Sequence, residues 1–458
     1  MTRRIGVDAV VVGAGTAGAN AALQLARRGR RVALIEQRPL GVAGARWDNG
    51  VVPWHFERSG LDFPEPSDGR PARASNTVVV GPRGSGFRIE QSPIRGADMR
   101  ALVESLQKQA LDLGVQPFDS ARDVTLRERL GRATGVSALI DGIETTFDCA
   151  LVVDASGRKG VIRDQVPELR EWCFPVGQSG LCSASQYEHR VVDPDGARRF
   201  LDSHGAEPGD TITFLGFAGG FSALGVGVSA DLSSVGVLTG TLGDRRWGTG
   251  SSLQSLVRGR HRWIGEPIFG GAGLIPLRRP YSRFTAPGVA LVGDSACHMF
   301  PAHGSGIGIS LVAGTMLAEA ATSGDDCGSA DSLWAYQSAF LREHGGTLAA
   351  YDLIRRMGSR LGSEGVAAMF DAGLIRAEST RAGLEQRWWT PPPAQLAALA
   401  PRLLGRPLLA AKVLPTLSRT ALAHRVYAGY PDRADESALR RWDSMQERML
   451  GRAAVRDA

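Results

Sequence analysis

No stretch of eighteen apolar residues occurs in the 458-residue chain, which excludes a membrane-spanning helix. Lysine is nearly missing. Lys108, Lys159 and Lys412 are the only three, and arginine supplies the rest of the 53 basic residues. Against 47 acidic residues they leave a formal net charge of +6, too even a balance for a nucleic-acid footprint. The run Arg27-Arg28-Gly29-Arg30-Arg31 falls where a first helix should end, and cations there suit the helix dipole. Cysteine is sparse and odd in number: Cys149, Cys173, Cys182, Cys297 and Cys327 show neither metal-ligand nor disulfide-framework spacing. A reducing cytoplasm is the expected compartment. The first strand begins within a few residues, which is expected to leave no room for a signal peptide. A hydrophobic content of 43% with 22% charge is that of an ordinary globular protein, and the length allows two or three domains.

What the chain does have begins at Val10-Val-Val-Gly13-Ala-Gly15-Thr-Ala-Gly18. An apolar run, Ala9 to Val12, reads as a buried parallel strand, and the three glycines turn it into a helix. A second strand, Arg31 to Ile35, ends at Glu36. Gly13 permits the tight turn, Gly15 lets a pyrophosphate approach the backbone, and Gly18 lets helix and strand pack closely. The helix N-terminus aims unpaired N–H groups at the phosphates, and Glu36 is placed to hold ribose hydroxyls. The motif implies a dinucleotide without choosing between FAD and NAD(P).

Residues 39–92 carry little periodicity and read as loops over a ligand. Met99 to Gly114 has helical spacing, and Val124 to Phe147 reads as a small antiparallel meander. Cys149 to Ala155 is a second buried strand, ending in Asp154-Ala-Ser-Gly157-Arg158. Short alternating runs within 171–283, such as Thr211 to Phe217 and Ala223 to Ala230, suggest an antiparallel sheet whose face walls a substrate site. Ala290 to Val292 is a third buried strand, leading to Gly293-Asp294 and then a helix from about Gly304 to Ala321. Residues 333–458 read as mostly helical, broken at Trp388-Trp389-Thr-Pro391-Pro392-Pro393. The glycine clusters at 81–86, 216–227 and 270–273 do not follow a strand, open a helix and lead to an acid, so no second nucleotide fold is expected.

The third motif suits a flavin. Asp294 is placed to accept a hydrogen bond from a ribityl hydroxyl. Gly304, Gly306 and Gly308 let a helix N-terminus approach a flat ring, where its dipole stabilises the charge of a reduced flavin.

These three motifs, in this order, resemble the FAD-containing hydroxylase and reductase superfamily typified by para-hydroxybenzoate hydroxylase, over roughly residues 8–345. Gly270-Gly-Ala-Gly273-Leu-Ile-Pro276-Leu-Arg278-Arg279-Pro280, with Ala286 to Cys297, is similar to the geranylgeranyl-reductase-like branch. The usual Asp-Gly of the middle motif is Asp154-Ala here, and Gly293-Asp-Ser-Ala-Cys297-His298 departs from the usual Gly-Asp-Ala-Ala-His. The Trp-x-Trp-x-Ile-Pro motif of tryptophan halogenases is absent, the nearest fragment being Trp263-Ile-Gly-Glu266. The cysteine motif of archaeal prenyl reductases is replaced near residue 47 by Ala45-Arg46-Trp47-Asp48-Asn49-Gly50.

The resemblance implies an α/β chain, α+β overall. A Rossmann-type FAD-binding domain spans 1–170 and 284–345, an antiparallel-sheet substrate domain 171–283, and a C-terminal helical region 346–458. The expected cofactor set is Gly13, Gly15, Ala17, Gly18, Glu36, Gln37, Arg46, Arg100, Asp154, Gly157, Gly293, Asp294, Gly304, Gly306 and Ile307, with no metal; Arg95 is the alternative to Arg100. His298, His303, Trp47 and Asn49 are the candidate catalytic residues, since histidine moves protons near neutral pH and the 47–55 loop of relatives passes near the flavin. Core packing is the competing expectation for Trp47 and Trp54, solvation for Arg278 and Arg279, and simple packing for Cys297. The expected activity is an FAD-dependent oxidoreductase on an apolar or aromatic small molecule, by flavin-hydroperoxide monooxygenation or by hydride reduction of a double bond. A halogenase and a flavin-binding protein without turnover are the alternatives. Electrons come from NAD(P)H or a separate flavin reductase, no nucleic-acid partner is expected, and the chain is a monomer or homodimer.

Overall fold

The computed structural model describes residues 3–64 and 76–453, so residues 65–75 of the expected 39–92 loop region lie outside the described residues. Four short apolar segments, Ala9–Val12, Val32–Ile35, Leu151–Asp154 and Val289–Leu291, form a parallel sheet. All of their residues but Asp154 are apolar and all are buried, as a sheet covered on both faces requires. Gln116–Phe118 adds a parallel strand at one edge, and Thr285–Ala286 an antiparallel one at the other. Ala9–Val12 lies between Leu151–Asp154 and Val32–Ile35, so the carboxyl ends of these strands open a crevice at Gly13. Helix Thr16–Arg27 packs on helices Met99–Asp112 and Ile307–Ala321. Asn20 Nδ2 donates to the Leu311 carbonyl at 2.7 Å, and Gln107 Nε2 donates to the Ala14 carbonyl at 2.9 Å.

The expected meander is Arg122–Arg129, Arg132–Ile140 and Ile143–Asp148, and Arg3–Gly6 joins it in parallel. A seven-stranded sheet holds Ile264–Pro276, Leu181–Val191, Ser234–Leu242, Ser222–Val228 and Thr211–Leu215 in that order. Its last two strands, Thr77–Val80 and Gly86–Ile89, come from the stretch expected to be loop. That expectation is corrected: Thr77–Val80 is β-branched throughout, but four residues are too few to stand out among glycines and prolines. Asp48–Val51 likewise pairs with Arg95–Asp98 in a two-stranded ribbon.

One face of the large sheet is a conventional core. Ile212, Leu224, Val226, Val235 and Val237 cluster there with Ala197, Phe200 and Val257 from helices Pro194–Asp202 and Gly250–Arg260. The opposite face carries glycine where side chains would stand: Gly225 and Gly227, Gly236 and Gly240, Gly271 and Gly273. Helices Gly346–Asp371, Ala377–Leu384, Pro393–Leu404 and Pro407–Ala428 roof that stripped face, and Glu436–Leu450 follows them.

Candidate active site

The turn after the first strand is built by close approach. Gly13 has φ +106°, open to glycine at little steric cost, and a Cβ on Gly18 would overlap the Gly13 carbonyl. Helix Thr16–Arg27 starts at Gly15 with no side-chain cap and no acid in its first turn. Its first N–H groups are therefore left for an outside anion. Gly15, Thr16 and Ala17 line a cavity together with Gly44, which follows in the loop after the second strand. Buried Glu36 lies beneath, where its carboxylate accepts from the Ala14 N–H at 2.8 Å and the Arg38 N–H at 3.1 Å. Gln37 accepts from Lys159 Nζ at 3.0 Å.

The middle motif behaves differently from expectation. The Asp154 carboxylate accepts from the backbone N–H groups of Ser156, Ile162 and Arg163 and from the hydroxyls of Ser156 and Ser295, all within 3.1 Å. Asp154 is fully buried and its lone pairs are filled by protein. Its expected contact with cofactor is corrected to a positioning role: it folds the 155–163 turn and, through Ser295, ties that turn to the third motif. Gly157, which follows, does line the cavity.

Gly293 (φ +73°) comes so close to the first helix that a Cβ there would stand 2.8 Å from the Ala17 Cβ. Next to it Asp294 faces the cavity, half-buried. Burial pushes its carboxyl up to about 6, Arg158 pulls the other way, and no protein donor meets it among the described residues. Gly304, Gly306 and Ile307 line the cavity at the uncapped start of helix Ile307–Ala321. The Gly15–Gly44 cradle, two open helix N-termini and a carboxylate awaiting a donor fit an extended dinucleotide with a flat ring at its far end.

The two candidate histidines part company. His303 presents its ring to the cavity, and Ser305 N–H donates to its Nδ1 at 3.4 Å. The protein packed around it pushes its pKa down to about 4, so it is neutral at pH 7. His298 points the other way. Its ring lies 4.1 Å from Phe340 and 4.8 Å from Phe284 between centroids, both nitrogens are unpartnered, and burial lowers its pKa to about 3. The expected catalytic role of His298 is corrected: it is a neutral core side chain outside the cavity. Trp47 and Asn49 line the cavity, with the Trp47 indole laid over the Gly271 backbone; a Cβ at 271 would stand 2.8 Å from Trp47 Cε3.

Other expected residues lie to the side. Arg100 is clamped by Asp98, with a bond of 2.7 Å from Nη2, and stacks 3.9 Å from the Phe269 ring. Arg95 lies over Phe63, and Arg46 donates to the Gly41 carbonyl. Trp54 donates its indole N–H to the Glu385 carbonyl, tying the loop to the helical roof. Arg278 and Arg279 are buried, not solvated: each contributes one donor to a backbone carbonyl, and Arg278 stacks on Tyr281. Cys297 is buried, as expected.

The cavity holds about 1350 Å³. From the flavin-type loops it extends along the glycine face of the large sheet and beneath Tyr351, Ile354, Met357, Leu374 and Trp388 of the C-terminal region. A sheet face walling the site was expected; its glycine lining and the roof of C-terminal helices were not. The signal for the first was present: Gly225-x-Gly227 and Gly271-x-Gly273 have the period of one strand face.

Residues 8–64 match the family described as FAD dependent oxidoreductases. A digeranylgeranylglycerophospholipid reductase of Sulfolobus acidocaldarius is 23% identical, with 95% of each chain covered. A second protein of that name, from Methanopyrus kandleri, is 27% identical over 83% of this chain and 99% of its own. Among solved structures, a geranylgeranyl bacteriochlorophyll reductase-like protein of Thermoplasma acidophilum shares the fold at a TM-score of 0.69 and 16% identity, covering 90% of this chain and all of that one. No helix among the described residues is long and apolar enough to cross a membrane. The chain is an FAD-dependent oxidoreductase and fits that superfamily beside the geranylgeranyl-reductase-like proteins.

Proposed function

We propose that the protein reduces carbon–carbon double bonds in a long, apolar, polyprenyl-type substrate. The observation that carries this reading is the extent of the cavity. At about 1350 Å³ it exceeds the 300–1,000 Å³ of an ordinary single-ligand pocket, and its far part is a trough between glycine strands and apolar helices. A flavin with an extended chain suits that volume better than a flavin with a single aromatic ring. The names of the two reductase relatives support the same choice.

In this reading Gly13, Gly15, Ala17 and Gly18 hold the pyrophosphate, with Glu36 and Gln37 on the adenosine side, while Arg46 and Arg100, engaged with Gly41 and Asp98, stand outside the cavity. Gly157, Gly293, Asp294, Gly304, Gly306 and Ile307 hold the ribityl chain and ring. Bound FAD supplies the hydride chemistry. The chain's own residues orient and shield: the helix start at Ile307 offers its dipole to negative charge on the ring, Trp47 and Asn49 wall the reacting end, and neutral His303 serves as a hydrogen-bonding group. No second nucleotide turn occurs among the described strands, so NAD(P)H docks transiently or a separate flavin reductase delivers electrons.

The test uses FAD-loaded protein reduced with dithionite in the absence of oxygen. Geranylgeraniol is expected to re-oxidise the flavin and to emerge two mass units heavier for each bond reduced. If instead only para-hydroxybenzoate in air turns over, to a product sixteen mass units heavier, the monooxygenase reading replaces this one.

A further inference from the structure

Residues 386–431 contain no aspartate or glutamate, yet they hold Arg387, Arg402, Arg406, Lys412, Arg419 and Arg425. Those six cations equal the formal net charge of the entire chain, +6. The same stretch forms helices Pro393–Leu404 and Pro407–Ala428 on the outside of the cavity roof. Not one residue of the first helix is buried, although most are alanine or leucine. At the corner between the helices Leu404 and Leu408 are each 80% exposed. The inner side is anchored: Leu403, Leu409 and Val413 pack with Met357 and Met369. The outward leucines are therefore presented by a packed scaffold, and an apolar corner of this kind on a folded surface marks an interaction site.

We propose that this corner docks on an anionic lipid bilayer, with Leu404 and Leu408 entering the acyl boundary and Arg402, Arg406, Lys412 and Arg419 meeting the head groups. Charge complementarity selects that occupant. Lys412 shares a small cavity with Arg360, whose charged neighbours Arg356, Arg419 and Arg355 all repel it. A second copy of the chain is a poor fit, because a two-fold contact would set this basic stretch, which holds no acid of its own, against itself. Leu396 is 52% exposed and also lines the substrate cavity, so surface and cavity meet at one residue. A chain dissolved in the membrane enters the cavity without crossing water; in that respect the inference rests on the polyprenyl reading above.

The full-length, FAD-loaded protein is to be floated with vesicles of equal parts phosphatidylglycerol and phosphatidylcholine, and with vesicles of phosphatidylcholine alone. Binding to the anionic vesicles is expected to be at least about tenfold tighter and to weaken with salt. The L404D/L408D and R402E/R406E variants, checked for unchanged flavin content, are each expected to lose at least about tenfold of that binding. Binding that ignores lipid charge, or that survives L404D/L408D, overturns the proposal. So does a concentration-dependent dimer that L404D/L408D abolishes. Wild-type protein that stays off both vesicles yet reduces geranylgeraniol in detergent overturns the docking surface and leaves the reductase reading standing. Vesicle binding without any reduction supports the surface and overturns the reductase reading.

Discussion

Gly15 and Gly44 meet backbone to backbone: a Cβ on Gly15 would stand 3.3 Å from the Gly44 Cα, and a Cβ on Gly44 would stand 3.2 Å from the Gly15 Cα. Both residues line the mouth of the nucleotide end. Gly44 also has φ +76°, and its Cβ would lie 3.0 Å from Val103 Cγ2. Gly44→Val is expected to cost about 1–2 kcal/mol from the left-handed backbone alone. It should purify with less than roughly a tenth of the normal flavin, since the side chain fills the phosphate channel. Gly15→Val should do the same. Flavin released by acid and measured by absorbance checks both, and full flavin content in either variant would refute the placement of the pyrophosphate.

Asp294 sets a pH dependence of stability in the flavin-free protein. Its carboxyl titrates at about 6, above its ordinary value of 3.8, because its surroundings favour the neutral form. Between those values the folded protein holds more protons than the unfolded chain, so stability falls as pH rises from about 4 to 6 and is flat above. The loss is on the order of 2 kcal/mol, allowing for water in the cavity. Asp294→Asn is expected to raise the melting temperature of the flavin-free protein at pH 7 while weakening FAD binding. Thermal melts across pH, paired with flavin titration, would show both. An Asp294→Asn protein that is less stable without flavin would mean the charge is satisfied by protein.

His298 predicts the opposite slope. Its pKa is held at about 3, below the ordinary 6.5, so protonation favours the unfolded chain and stability is lost as pH falls below 6.5. His298→Phe removes two unpartnered nitrogens from an aromatic setting and is expected to be neutral or stabilising by about 1 kcal/mol. It should also flatten the acid side of the stability curve. Turnover with full flavin loading is expected to change less than about twofold, because His298 does not reach the cavity. A loss of tenfold or more at unchanged flavin content would restore a catalytic role.

Gly225 tests the trough. A Cβ there meets only Leu238, at 3.5 Å, an ordinary contact, and the strand continues past it with ordinary backbone. Gly225→Leu should fold with a change in stability within about 1 kcal/mol and shorten the trough. On the polyprenyl reading, KM for geranylgeraniol rises about tenfold, while the shorter geraniol is reduced within about twofold of the normal rate. Equal effects on both alcohols would place the chain elsewhere in the cavity.

The nucleotide half of this site was legible because each of its parts carries a local signature. Fully apolar four-residue strands, glycines at fixed offsets and an acid at a strand end are all short-range patterns. What resisted reading was direction. His298 and His303 share one motif, yet one ring enters the aromatic core and the other the cavity. Asp154 looked like a ligand because a carboxylate at a strand end serves equally to bind hydroxyls or to fold its own turn. Only the positions of the Ile162 and Arg163 N–H groups decide between these. Leu396 stood in a readable helical region, but the face that a helix buries depends on partners distant in the chain, and Trp388 stood in the break between two helices.

The cavity is written in two separate parts of the gene product. Its cofactor end draws on short loops before residue 311, and its roof on residues 351–421, which keep a small core of their own around Met357, Met369 and Val413. The two parts meet where Trp54 bonds the Glu385 carbonyl and Phe300 packs on Tyr351, so substitutions elsewhere on the roof act first on the far end of the cavity. On the polyprenyl reading, the reach of the substrate is set by a segment that supplies none of the turn around Gly15.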